Sequence, residues 1–322
     1  ISKAPLIYVG IPPNYTPSIF STPTIQTDRV VTIDRQRTAA CHRWMPNPSD
    51  PFPPFVFEVD LFLPQRRRIG IPFAPDISIV HSMFAITDDG RALVSCGHWD
   101  NSFKLTYLDS GKMAQSIVWH KDIVTCASLG RDSQTLVTGS KDTTLALWTL
   151  QKKSGGYVVS ERPALILHGH NDEVTCVCVN VELDVAVSGG KDGKCIIHSL
   201  RKGTYLRSIQ PTTHAINLIA VAGDKIAIHA PSDLSIYIYT LNGVHIATRD
   251  IKERLTCMIM TRGGDYIVTG SHHGSIVCRN SRTLDQIYRQ PVEGGVCSLE
   301  MTNDEQCVMA GLESGSLLIL NL

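Results

Sequence analysis

Through most of the chain, apolar residues recur at every second position in short runs. Gly, Asp, Asn or Ser ends each run. Thr144-Leu145-Ala146-Leu147-Trp148 and Ser235-Ile236-Tyr237-Ile238-Tyr239 show the pattern. A period of two places alternate side chains on opposite faces of a strand, whereas a helix needs apolar residues at i, i+3 and i+4. No strong helical stretch occurs, so the pattern predicts an all-β protein of short strands.

The runs form a repeat. Each copy has a β-branched or apolar pair, a small hydroxyl or thiol residue, Gly, two further residues, a polar residue and then an alternating strand. Copies centre on Gly97, Gly139, Gly189, Ala230, Gly270 and Gly311, at separations of 42, 50, 41, 40 and 41. Such a period suits four short strands per unit, as in a β-propeller blade. A degenerate seventh copy starts at Val30-Val31-Thr32-Ile33-Asp34 and continues through residues 39–44. The gap of 64 from Ile33 to Gly97 then requires an insertion over about residues 45–75. The expectation is a seven-bladed propeller forming one domain over residues 1–322. Gly315-Ser316-Leu317-Leu318-Ile319-Leu320 reads as the third strand of the last blade, and a bare edge there would be sticky. Pro5-Leu6-Ile7-Tyr8-Val9 is therefore expected to return as the fourth strand of that blade and close the ring.

Certain polar residues sit at fixed places in the repeat. His120 precedes the first strand of its unit, Thr138 ends the second, Asp142 lies in the next turn and Trp148 ends the third. Repeats of the WD40 type join such residues in a hydrogen-bonded series, which makes a buried carboxylate tolerable. The following unit has His170, Ser188 and Asp192, with His198 in place of Trp. The unit at Gly97 has Asp100 but Cys96 at the hydroxyl position, and later units lack more members. A hydroxyl, His and Asp also make up a catalytic triad. Here they share one tight hairpin under a Trp, and no G-x-S-x-G elbow is present, so a structural role is expected.

Composition narrows the function. Lys and Arg number 30, as do Asp and Glu, which argues against nucleic-acid binding. The 43% hydrophobic content supports a real core. No apolar run is long enough for a transmembrane helix. The ten cysteines form no C-x-x-C pair and mostly sit in apolar strand runs, such as Val174-Thr175-Cys176-Val177-Cys178-Val179. They read as reduced, buried small hydrophobes, not as zinc ligands. The chain starts at Ile1 without a secretory leader pattern, which reads as a domain trimmed from a longer protein.

The segment Cys96-Gly97-His98-Trp99-Asp100-Asn101-Ser102-Phe103 resembles the first strong repeat in the C-terminal propeller of BEACH-domain proteins. Val124-Thr125-Cys126 and residues 139–148 follow in the same order. Ile166-Leu167-His168-Gly169-His170-Asn171-Asp172-Glu173-Val174-Thr175-Cys176, Glu182-Leu183 and Ile196-Ile197-His198-Ser199-Leu200 are similar to the neurobeachin subgroup. The resemblance covers roughly residues 76–320 and is most specific over residues 94–200. It implies the propeller of a very large cytoplasmic scaffold, peripheral to endomembranes, with a PH-like and BEACH module just ahead of it. It further implies a part in vesicle traffic and membrane-protein sorting, binding of that module and of trafficking partners, no cofactor and no catalysis.

In a propeller, the residue before the turn Asp reaches one face around the channel. Those positions are Trp99, Lys141, Lys191, Ser232, His272 and Glu313. Trp99 either anchors a partner or packs on a neighbouring blade. Lys141 and Lys191 are either partner contacts or solvated charges. His272 is a partner candidate, while the pair His272-His273 is a weak metal or pH-sensing candidate, since adjacent side chains on a strand diverge. The insertion carries a proline-rich run over residues 46–54, a candidate edge strand over residues 56–63, Phe52, Phe55 and Phe62, and then Arg66-Arg67-Arg68. The phenylalanines either dock a second module or pack on the propeller. The three arginines weakly resemble a phosphoinositide-binding element, which makes a headgroup reader the alternative function.

Overall fold

The alternating runs form twenty-nine strands, and the described residues hold no α-helix, only the 3-10 turn His81–Met83. The computed structural model describes the backbone of residues 6–10, 28–33, 38–45, 56–59, 67–68 and 74. It also describes residues 81–321 apart from 88, 109, 155, 302–304, 306 and 314–316, with side chains at 74 and between 82 and 320 except 317.

The strands make seven antiparallel sheets. Sheet 1 contains Leu6–Gly10, Asp28–Ile33, Thr38–Met45 and Val56–Val59, with Arg67–Arg68 pairing beside the last. Sheet 2 runs Phe84–Ile86, Ala92–Ser95, Ser102–Tyr107 and Met113–Val118. Sheet 3 runs Val124–Leu129, Thr135–Ser140, Leu145–Lys153 and Leu165–Leu167. Sheet 4 runs Val174–Asn180, Val185–Gly190, Cys195–Ser199 and Tyr205–Ile209. Sheet 5 runs Leu218–Ala222, Lys225–Ala230, Ser235–Thr240 and His245–Asp250. Sheet 6 runs Leu255–Met260, Tyr266–Ser271, Ser275–Asn280 and Gln286–Pro291. Sheet 7 has Val296–Met301, Cys307–Leu312 and Leu317–Asn321. The first strand of each sheet lies beside that of the next, and that of sheet 1 lies beside those of sheets 2 and 7. This is a seven-bladed β-propeller.

The inner strands of sheets 2 to 7 line a central cavity of about 960 Å³. The core is divided into layers between neighbouring sheets. Phe103 and Leu105 of sheet 2 pack with Leu136 and Trp148 of sheet 3, and Val185 and Ile197 of sheet 4 with Ile226 and Ile228 of sheet 5.

The way the ring closes differs from the repeat-based expectation. Leu6–Gly10 pairs with Asp28–Ile33, Leu6 opposite Ile33, and so begins sheet 1 instead of completing sheet 7. The two ring positions are close, because the outer strand of one blade leads directly into the inner strand of the next. The strand runs beside Val296–Met301, so sheets 7 and 1 meet face to face rather than through a shared edge. Within the expected insertion, Val56–Val59 pairs with Thr38–Met45 as an outer strand, in keeping with the edge strand expected over residues 56–63.

The separation of 50 between Gly139 and Gly189 has a local cause. Leu145–Lys153 is nine residues long and serves two partners. Its first half pairs with Leu165–Leu167 and its second with Gly156–Val159. That added hairpin clasps sheet 2. Tyr107 Oη donates to the Tyr157 carbonyl at 2.8 Å, and Gln115 bonds both the Val159 amide at 2.7 Å and its carbonyl at 3.1 Å.

The repeat glycine marks a close approach between blades. A Cβ on Gly139 would stand 2.7 Å from both Cys126 Sγ and Val174 Cγ1, and one on Gly270 would stand 2.7 Å from Cys257 Sγ and 2.6 Å from Val296 Cγ1. The cysteine follows a bulged threonine on the inner strand. Thr125 Oγ1 donates both to its own sheet at the Gly139 carbonyl, 3.1 Å away, and to the next sheet at the Val174 carbonyl. Thr175 and Thr256 do the same toward sheets 5 and 7. In sheet 5 the repeat places Ala230 at the glycine position, but the register puts His229 there, opposite Leu218 and Ile236, with Ala230 one residue further on, and the inner strand has neither bulge nor cysteine. Gly139→Ala is expected to lower stability by about 1–3 kcal/mol through overpacking. Ala230→Gly should change it by less than about 1 kcal/mol. Denaturant midpoints of the two variants check the contrast, and equal shifts would contradict it.

Candidate interaction face

The turns between second and third strands, and the segments leading into first strands, share one face of the ring. In sheets 3 to 6 polar side chains tie the turn to the segment leading into the same sheet. In sheet 3, Trp148 Nε1 donates to Thr138 Oγ1 at 2.9 Å, Thr138 Oγ1 lies 2.9 Å from His120 Nε2, and His120 Nδ1 lies 3.1 Å from Asp142 Oδ2. The ionised Asp142 carboxylate only accepts, so Nδ1 of the neutral imidazole carries the proton and the order of the others follows. Thr138 donates to His120 Nε2, and neutral His120 donates from Nδ1 to Asp142. The carboxylate also accepts from the Lys121 amide at 2.8 Å and from Thr144 Oγ1 at 2.6 Å. Thr138 and Trp148 have no exposed surface, so this trio offers no nucleophile to a substrate.

Sheet 4 repeats the arrangement with Ser188 2.9 Å from His170 Nε2, and Asp192 3.1 Å from His170 Nδ1. His198 occupies the Trp position but turns its Nε2 to the His168 carbonyl, 3.0 Å away. Burial, the largest influence, holds the His120 and His170 imidazoles below the ordinary histidine value despite the facing carboxylates. Burial alone would raise Asp142 and Asp192. The hydrogen bonds from Thr144 and from the Lys121, Asn171 and Lys194 amides outweigh it and hold both below the usual carboxylate range.

Sheets 5 and 6 tie the same two loops with different residues, and sheet 2 bonds its connection internally. In sheet 2 the connection after the second strand is one residue longer, since Ser95 pairs with Lys104 where Thr138 pairs with Ala146. Ser95, not Cys96, therefore holds the hydroxyl position, and its Oγ lies 3.1 Å from His98 Nε2. In sheet 5, His214 Nδ1 lies 2.8 Å from Asp233, which also accepts from Tyr237 Oη at 2.9 Å. In sheet 6 the carboxylate comes from the other loop, as Glu253 accepts from Ser275 at 2.8 Å and from Arg289 at 2.7 Å. The fixed interval of 22 between His and Asp in sheets 3 and 4 hides these variants in the sequence. His214 and Asp233 are 19 apart, and the Glu253 pair reverses the order.

Four of the candidate residues stand at one equivalent place. The amides of Lys141, Lys191, His272 and Glu313 bond the carbonyls of Ile123, Glu173, Arg254 and Gly295, each just ahead of an inner strand. All four side chains line the channel mouth, with Glu173 and Arg254 between them. Lys191 pairs with Glu173 at 3.2 Å. Ser232 is exposed on the matching turn of sheet 5 and does not line the cavity. Glu173 and Arg254 precede inner strands and had no place in the turn-based pattern.

Trp99 is 60% exposed at the tip of the long connection in sheet 2. The residues beside it are held. His98 is buried, Asp100 accepts from Ser102 Oγ at 2.6 Å, and Asn101 Nδ2 reaches the Lys121 carbonyl at 3.2 Å. Trp119, 42% exposed, sits edge-on to Trp148 at 6.4 Å. The His272 and His273 rings are 5.8 Å apart, and the described residues contain no cluster of three metal-ligating side chains. Phe52, Phe55, Phe62 and Arg66 lie outside the described residues. Arg67–Arg68 pairs by its backbone with Thr38 and Ala39, and its side chains lie outside the described set. The described cysteines are free thiols, and burial pushes Cys126 and Cys257 up to about 12. Among the described residues no helix is long and apolar enough to cross a membrane.

A sequence model of the family described as "Neurobeachin beta propeller domain" matches residues 47–322. BEACH domain-containing protein B of Arabidopsis thaliana is 34% identical over 293 residues, covering 85% of this chain and 11% of that protein. BEACH domain-containing protein lvsE of Dictyostelium discoideum is 29% identical over 316 residues, covering 91% of this chain and 14% of that protein. A putative neurobeachin homolog of Caenorhabditis elegans is 28% identical over 270 residues, covering 80% and 11%. The chain thus spans 11% to 14% of the length of these curated relatives. A chain in a crystal structure of the mitotic checkpoint complex matches with a TM-score of 0.68 at 15% identity, over 92% of this chain and 86% of that one, which is a likeness of fold alone.

Two outcomes follow from the polar ties. Asp142→Ala leaves His120 Nδ1, Thr144 and two amides without their acceptor, and should lower stability by roughly 2–4 kcal/mol in denaturant titrations. A midpoint equal to that of the parent would contradict the network. The imidazoles lie lower in the folded state than in the unfolded one, so their contribution is complete above about pH 6.5 and fades as pH falls through the lower folded values. The carboxylates add a further loss below about pH 4. The thermal midpoint should therefore drop between about pH 7.5 and pH 5, and a flat profile would show that these histidines are not held neutral.

Proposed function

The chain belongs to the neurobeachin β-propeller family, and from that membership we infer that it is a non-catalytic protein-interaction module. Its binding face is the channel mouth with the Trp99 turn. One observation carries this reading. Trp99 projects into solvent from a connection whose other polar residues are bonded, on the face where Lys141, Lys191 and His272 converge. A large aromatic held out by a rigid turn loses little entropy on binding, and such residues anchor interfaces. The balance of 30 basic and 30 acidic residues favours protein over nucleic acid as the partner. Relatives named for a BEACH domain support a setting in a much longer polypeptide, where the propeller binds its neighbouring BEACH and PH-like module and trafficking partners. In that setting it serves vesicle traffic and membrane-protein sorting at the cytoplasmic side of endomembranes.

Affinity capture with the parent, Trp99→Ala and a Lys141→Glu/Lys191→Glu pair tests the face. The expected result is loss of at least one specific partner by about thirtyfold in affinity on Trp99→Ala, the size of an anchor residue. Glu182→Ala at the opposite mouth should leave capture unchanged. Retention of every partner by both face variants would refute the assignment. Binding to anionic liposomes that survives them would move the contact to lipid and to another surface.

A further inference from the structure

The apolar layer between sheets 5 and 6 ends at the rim of the ring in charged side chains. Ile267 belongs to that layer with Ile236 and Ile238. Arg279 stands opposite Ile267, on the same face of sheet 6. This is the place held by Trp148, opposite Leu136, and by His198, opposite Ala186. Those two rings have acceptors, Thr138 Oγ1 and the His168 carbonyl. Arg279 Nε is buried and has no acceptor among the described residues. Two more arginines act on it. Arg249, on the outer strand of sheet 5, reaches across to sheet 6, where its Nη1 donates to the Leu284 carbonyl at 3.3 Å and to Asp285 Oδ1 at 2.7 Å. Arg289, on the outer strand of sheet 6, donates from Nη2 to Glu253 Oε1 at 2.7 Å. Burial first, then the charges of Arg249 and Arg289, hold Arg279 below the ordinary arginine value, and Glu253 opposes them. Like charges gathered beside a half-buried guanidinium are a cost unless an anion joins them.

We propose that this cleft between sheets 5 and 6 binds the phosphate of a phosphorylated serine or threonine in a partner peptide, through Arg249, Arg279 and Arg289. The donor set favours phosphate. A guanidinium is planar and always charged, and its fork of N–H groups matches two phosphate oxygens. Three such forks suit a group with nearly two negative charges and three acceptor oxygens. The carboxylates present, Glu253 and Asp285, leave one positive charge in excess. Their ion pairs with Arg289 and Arg249 stand at the surface, with those arginine side chains 48% and 44% exposed. Exposed pairs of this kind contribute little, so both arginines can turn to a stronger anion. The surroundings favour a peptide over a membrane. Arg279 is half-buried in the cleft, out of reach of a flat surface but within reach of a protruding side chain. Asp250, Glu253 and Asp285 border it, whereas a membrane-binding face gathers basic residues in excess. None of the three arginines lines the channel, so the site stands apart from its mouth. It shares with the preceding reading only that the partner is a protein.

Fluorescence anisotropy tests the site, with a random peptide pool carrying a central phosphoserine against the same pool carrying serine. The phosphoserine pool should bind the chain at least about tenfold more tightly, and Arg279→Gln should bring that ratio below about two. Arg249→Gln changes an exposed side chain that the core does not need, and should lower the ratio by at least about threefold in a protein of parental thermal midpoint. Trp99→Ala should leave the ratio unchanged, so a fault at the channel mouth and a fault in the cleft are read separately. Equal binding of the two pools by the parent would overturn the proposal, as would a ratio that both glutamine variants preserve. Full competition by inorganic phosphate at the concentration of the pool would also overturn it, making free phosphate the ligand. Arginine-dependent binding to phosphoinositide vesicles without a preference for phosphoserine would do the same in favour of a lipid headgroup.

Discussion

The whole ring depends on how closely two blades approach at the end of each second strand. At Gly139, Gly189 and Gly270 the backbone meets a cysteine of its own inner strand on one side and an apolar side chain of the next blade on the other. There is no volume for a methyl group. The threonine beside that cysteine bridges two sheets by donating to a carbonyl of each. Gly, Thr and Cys are therefore one device. Cysteine supplies a small apolar volume, threonine a hydroxyl that joins sheets with no shared ladder, and glycine the gap. Sheet 5 has neither the bulge nor the cysteine, and a histidine, His229, stands at its junction in place of glycine.

A second layer of order lies just outside that junction. Each sheet from 3 to 6 ties the loop entering its inner strand to the turn after its second strand through a buried or half-buried polar pair. The members differ: His120 with Asp142, His170 with Asp192, His214 with Asp233, Glu253 with Ser275. The shared requirement is geometric, a donor and an acceptor spanning two loops that would otherwise leave amides unpaired. Trp99, Lys141, Lys191 and His272 project from turns held by polar bonds, so the stability of the blade and the shape of the proposed binding face arise from the same kind of contact.

The extra pieces fall where the repeat spacing departs from its mean. The long interval between Gly139 and Gly189 is taken up by a hairpin that leaves the sheet edge and fastens sheet 3 to sheet 2. The extra residue between Ser95 and Lys104 lengthens the turn that displays Trp99. Insertions at loops leave the inter-blade layers intact, which is why a propeller accepts them there.

Strand content, blade period and the junction glycines were legible in the chain, because a period of two and a period near 41 follow from local geometry alone. The His120, Thr138, Asp142 and Trp148 series was legible for the same reason, since its members occupy constant offsets within one blade. The position of Leu6–Gly10 was not. A short apolar strand carries no mark that distinguishes the inner strand of one blade from the outer strand of its neighbour, and only the packing around the ring decides between them. Nor did Ser95 declare itself over Cys96, because a one-residue shift in register shows only in the pairing. The exposure of Trp99 and the gathering of Lys141, Lys191, His272 and Arg254 at one mouth likewise belong to tertiary structure. Local sequence determined which residues form strands and turns, while closure of the ring brought residues more than a hundred positions apart to a single opening.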